Sequence, residues 1–168
     1  MPAETIVKAI IALLPASILV LVLYRIDSHR LLGTHLMVKV FLAGGVIAVI
    51  CYFLNAWVIN TLNWDFNLFT RYLAPFIEEG LKAAILVYLF RINRIGFLID
   101  AGIIGFTVGA GFAFVENIYY LHTQHDAHYG VWLVRGLGTA VMHGGATDLF
   151  SISSETLNEL QLKMNPLH

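Results

Sequence analysis

The chain has 168 residues, of which 58% are hydrophobic and 12% charged, with a formal net charge of −1. A soluble domain carries about 25% charged residues, so this composition excludes one and describes a polytopic, all-α membrane bundle in one domain. The small net charge excludes a nucleic-acid footprint, which needs a basic patch, and the lone Cys51 excludes an intrachain disulfide.

The first apolar segment covers about residues 5–24. Its flank, MPAET, is acidic and lacks a small-x-small cleavage site, which predicts a retained helix rather than a signal peptide. Pro15 inside it is a kink of the kind membrane helices tolerate. After a polar loop with Arg25 and Arg30, a second helix spans 36–60. Lys39 snorkels from its start, and Gly44-Gly45 lets another helix come close. Residues 61–71 mix aromatic and polar side chains and read as an interfacial connection, with Trp57 and Trp64 near headgroup level.

The third segment, 72–90 (YLAPFIEEGLKAAILVYLF), is long enough to span a bilayer but carries Glu78, Glu79 and Lys82 at its middle. Each central charge costs roughly 2.5–3.5 kcal/mol on an insertion scale, against only about 0.3–0.6 kcal/mol returned per large apolar residue. With nine Leu, Ile, Phe and Val residues in the span, the helix is unfavourable by itself. Intramembrane ionisable residues of this kind mark a functional site. Glu78 and Lys82 lie four apart in the favoured orientation for an ion pair, which leaves Glu79, about 100° further round, free for other work.

The fourth helix, 97–121, has Gly102, Gly105, Gly109, Phe112 and Glu116 on one stripe. The glycines make it a close-packing surface and place Glu116 at a protein interface rather than in lipid. The loop 122–130 holds His122, His125 and His128 at a spacing that could bind a metal, but with no carboxylate or cysteine framework beside them they are read as solvated histidines. The fifth helix, 131–150, repeats Arg135, Thr139, His143 and Thr147 every four residues along one face, with Gly144-Gly145 open to a neighbour. Asp100 and Asp148 fall near the opposite membrane surface, where water can reach them, and take no catalytic role. Residues 1–150 thus form the transmembrane domain, with helices at 5–24, 36–60, 72–90, 97–121 and 131–150, and 151–168 form a polar tail. Arg25, Arg30, Arg91 and Arg94 gather on one side, which by the positive-inside rule puts the N-terminus outside and the C-terminus in the cytoplasm. The charged cluster then lies in the outer half of the membrane.

Taken in order, Glu78-Glu79-x-x-Lys82, Phe112-x-x-x-Glu116-Asn117 and Arg135-x-x-x-Thr139-x-x-x-His143 resemble the motifs of the PrsW family of intramembrane proteases, and more distantly the CAAX-protease and Abi-type enzymes. The resemblance covers about residues 70–150. It implies a peptidase of the prokaryotic inner membrane that cuts membrane-associated proteins near the outer face, as in the first cleavage of an anti-sigma factor. It also implies a metal, or a metal-free glutamate mechanism, and a further helix with a second histidine.

Peptide hydrolysis needs an activated water and a stabilised oxyanion. No H-E-x-x-H occurs, so zincin chemistry is excluded. Glu79 is the expected general base, with Glu78 held by Lys82, and His143 orients the water, donates to the oxyanion or ligates a metal. Glu79, Glu116 and His143 meet the three-ligand count of a catalytic zinc or another divalent ion, with Asn117 as a hydrogen-bond donor and Arg135, Thr139 and Thr147 in support. A proton-coupled transporter would also place such groups at mid-membrane, though without the inverted repeats usual for one, and a non-catalytic scaffold is the third class. The protease reading requires Glu79, Glu116 and His143 within roughly 10 Å of one another. The expected partners are the bilayer and a membrane protein or peptide substrate. A second copy of the chain, or helices C-terminal to it, would close a cavity left open on one side.

Overall fold

The computed structural model describes residues 3–26, 33–92, 98–124 and 126–164. Arg30, Arg94 and His125 lie outside them. Five long helices carry the chain: α1 (Ala3–Ile26), α2 (Thr34–Leu62), α4 (Ala74–Arg91), α5 (Leu98–Thr123) and α6 (Tyr129–Met164), with a one-turn α3 (Phe66–Leu68) before α4. No strand occurs among the described residues. α1, α2 and α5 are each long and apolar enough to cross a membrane. Among the described residues α4 and α6 do not meet that measure by themselves; in α4 the reason is the insertion cost of Glu78, Glu79 and Lys82. This is an integral membrane protein.

α1 continues through Pro15 without interruption. α2 ends at Asn63, whose φ of 49° is the left-handed conformation that stops a helix. Asp65 then starts α3: its Oδ1 accepts from the backbone N–H of Asn67 and of Leu68, both at 3.0 Å. A π-helical turn, Phe69–Leu73, links α3 to α4, so helix begins before residue 72 and the connection is helical rather than irregular. Pro75 sits in the first turn of α4, the part of a helix that tolerates proline best. α6 runs past residue 150 to Met164, so the polar segment continues the helix.

α5 is the central helix, and glycine lets its neighbours reach it. A methyl group at Gly44 would stand 2.0 Å from the Val108 carbonyl oxygen, and one at Gly111 2.0 Å from that of Phe41. α2 and α5 therefore touch backbone to backbone. On the other side a methyl at Gly109 would meet the His143 carbonyl oxygen at 2.3 Å, and one at Gly105 that of Thr147 at 2.8 Å. The glycine stripe of α5 thus seats α6 at the turn that carries His143. Gly144 faces the Phe106 ring, but Gly145 has nothing within 4 Å, so only the first of that pair serves packing. Asp100 is buried rather than solvated, at 5% exposure, and the Asp148 Oδ1 is also covered.

Candidate active site

α4, α5 and α6 bring Glu79, Lys82, Glu116 and His143 together. Lys82 Nζ donates to Glu79 Oε1 at 2.7 Å and lies 2.8 Å from His143 Nδ1. His143 Nδ1 is 3.3 Å from Glu79 Oε1, and its Nε2 is 3.6 Å from Glu116 Oε2. Glu79 and Glu116 thus both lie within 3.6 Å of the one imidazole. The Lys82 side chain is wholly buried and that of His143 nearly so, whereas Glu79 is 37% exposed. The Phe112 ring closes the cluster, 3.8 Å from Lys82 Nζ and 4.9 Å from the imidazole, centroid to centroid.

Two contacts at Nδ1 ask for opposite tautomers: Glu79 Oε1, at 3.3 Å, would accept a proton from it, while Lys82, at the shorter 2.8 Å, can only donate to it. An ammonium has no acceptor, so its contact with Nδ1 is a hydrogen bond only if Nδ1 carries a lone pair. The proton then sits on Nε2. At 3.6 Å, Glu116 is beyond normal hydrogen-bond reach, and the Nε2–H is available to a further acceptor.

Lys82 pairs with Glu79 and not with Glu78, against the sequence expectation. Glu78 is turned toward α2, where Asn55 Nδ2 donates to its Oε1 at 3.1 Å. Positions three and four residues from Lys82 are equally within reach on a helix, and the neighbouring helices decide between them. Asn55 was not singled out in the sequence, because a single amide in an apolar span has no periodic partner to flag it. Tyr120 is a second such residue: its ring lies 3.6 Å under the Arg135 guanidinium, while Arg135 Nη2 reaches Glu116 Oε2 at 3.3 Å. Arg135 Nε and Nη2 and Glu116 Oε2 make no hydrogen bond among the described residues.

Asn117 is buried. Its Nδ2 donates to the Ala12 carbonyl at 3.0 Å and to Thr139 Oγ1 at 3.2 Å, tying α5 to α1 and α6. The Thr139 hydroxyl in turn donates to the Arg135 carbonyl. The one hydroxyl hydrogen of Thr147 can go to the His143 carbonyl at 2.7 Å or to Glu79 Oε2 at 3.5 Å, and the shorter contact takes it.

A hydrophobic bundle that encloses carboxylates, an ammonium and an imidazole defines a class, the polytopic membrane protein with a buried acid–base centre. The chain belongs to the PrsW family of intramembrane metalloproteases, whose family model matches residues 33–153 and so spans all three motifs. It is an intramembrane protease. No curated protein and no solved structure matches the chain.

The family's description implies a metal, and the donors do not fit one ion as they stand. Ligands to zinc lie ~2.0–2.2 Å from it. The two carboxylates approach opposite nitrogens of one imidazole, whose lone-pair directions diverge, so no point satisfies all three. Among the described residues no three His, Cys, Asp or Glu side chains are placed around a common ion position.

Proposed function

We propose that this protease hydrolyses membrane-associated proteins with a water activated by Glu79, near the outer face of the membrane. The observation that carries this reading is the half-exposed Glu79 beside a buried Lys82 and His143. Lys82 occupies Oε1, which leaves Oε2 as the proton acceptor. Oε2 takes a proton from water, and the hydroxide adds to the peptide carbonyl carbon. The His143 Nε2–H donates to the oxyanion; one such donor is worth about 10²–10³ in rate. The C–N bond then breaks, and the proton held by Glu79 passes to the departing nitrogen.

The Arg distribution supports a topology with the N-terminus outside and the C-terminus in the cytoplasm of a prokaryotic cell, which puts Glu79 and His143 in the outer half of the inner membrane. A membrane-bound regulator of the anti-sigma type suits that position. The test is cleavage of a single-pass substrate by the purified protein in liposomes, compared with Glu79→Gln and His143→Ala. Loss of cleavage in both, with helicity retained, supports the assignment. Substrate-dependent proton flux without cleavage would replace it with a transporter.

A further inference from the structure

We propose that Lys82 is the built-in cation of this site, standing where a divalent ion would bind, so that the centre works without a bound metal. The inference rests on the hydrolytic reading above and departs from the family's description. A metal shared by Glu79 and His143 would have to lie between Glu79 Oε1 and His143 Nδ1. The Lys82 ammonium is already there, at 2.7 Å and 2.8 Å from those two atoms. It cannot swing aside easily, because its side chain is wholly buried and the Phe112 ring holds it from a third direction at 3.8 Å. A dication brought into the same space would meet a fixed positive charge at close range.

The second imidazole nitrogen offers no alternative. Nε2 faces Glu116 Oε2 at 3.6 Å, and Arg135 Nη2 lies 3.3 Å from that same oxygen. A second cationic side chain therefore guards the far side of the ring. Each position where a carboxylate and an imidazole nitrogen come together has a basic residue beside it.

Lys82 acts as a positioning residue. Its bond to Oε1 fixes the Glu79 carboxylate and leaves Oε2, 3.5 Å from the Thr147 hydroxyl, without a cation. Its bond to Nδ1 leaves the imidazole proton on Nε2. A metal in its place would hold the carboxylate and the ring by a different geometry, so the two arrangements exclude each other.

The experiment compares zinc binding by the purified full chain in detergent for the wild type, Lys82→Ala, and Lys82→Met, which keeps the side-chain volume. Metal content is measured by mass spectrometry, zinc affinity by calorimetry, and folding by circular dichroism. The wild type is expected to hold substoichiometric zinc, and removing the ammonium to tighten zinc binding at least ~10-fold. That gain should vanish when His143→Ala is added, which a merely structural lysine would not produce. In the cleavage assay the wild type should be insensitive to chelator. Lys82→Arg should recover part of the activity lost in Lys82→Met.

One zinc per wild-type chain, lost in Glu79→Gln or His143→Ala, would overturn the proposal. So would zinc-dependent cleavage, or no gain in zinc affinity in whichever uncharged variant folds. If the wild type cleaves no substrate, the hydrolytic reading fails, and the zinc comparison still decides the question of the resident cation.

Discussion

Lys82 reaches back three residues to Glu79 at 2.7 Å and leaves Glu78, four residues back, to Asn55 of α2. Two adjacent glutamates of one motif are thereby given different surroundings. Glu79 joins the cluster with His143 and stands half open, while Glu78 is fixed against a neighbouring helix.

This division predicts unequal mutants. Glu79→Gln should lower cleavage by about 10²–10⁴-fold, the usual contribution of general-base catalysis. Glu78→Gln keeps a side chain that can still accept from Asn55, and should lower it by no more than about 10-fold. Equal losses in a single-turnover assay would remove the distinction between the two carboxylates.

Asn55 carries a prediction of its own. Asn55→Leu leaves Glu78 Oε1 without its donor, and because that oxygen is only partly buried the cost should fall at or below about 1 kcal/mol, the low end for an unsatisfied acceptor. Asn55→Asp sets a carboxylate against another and should be worse. Thermal unfolding in detergent measures both, and an unchanged midpoint in Asn55→Asp would contradict the contact.

The glycines predict a contrast in packing. Gly109→Ala sets a methyl 2.3 Å from the His143 carbonyl oxygen and must push α6 away from α5. The overpacking should cost about 1–3 kcal/mol, and cleavage should fall with it because His143 moves. Gly145→Ala meets nothing within 4 Å. It should be neutral or stabilise by up to about 1 kcal/mol through helix propensity. Paired melting curves and cleavage rates check the contrast.

Topology can be read by chemical labelling. Single cysteines placed in the 122–130 loop should react with an impermeant thiol reagent from outside, and those in the 91–96 loop only after permeabilisation. Cys51 is buried and gives a low background. The reverse pattern would put the site in the inner half of the membrane and rule out cleavage near the outer face.

Much of this protein is legible in its sequence, because a bilayer constrains a chain severely. Apolar runs of spanning length had to be helices; all five expected segments are helical, and three of them are apolar enough to cross a membrane by themselves. The regular spacing of Gly102, Gly105 and Gly109 put them on one face, and that face does receive α6. The cost of charge in hydrocarbon marked Glu79, Glu116 and His143 as groups needing a shared polar setting, and both carboxylates lie within 3.6 Å of the imidazole. What periodicity could not decide was partner choice. Glu78 and Glu79 are both within reach of Lys82 along a helix, and only the rotation of α4 against α2 and α6 assigns one to Asn55 and the other to the cluster. Tertiary structure likewise set Asn117 to tying helices together. It also turned the two nitrogens of His143 toward different carboxylates. Spacing along one helix specifies which side chains share a face, but the direction of a donor atom depends on helices far away in the chain.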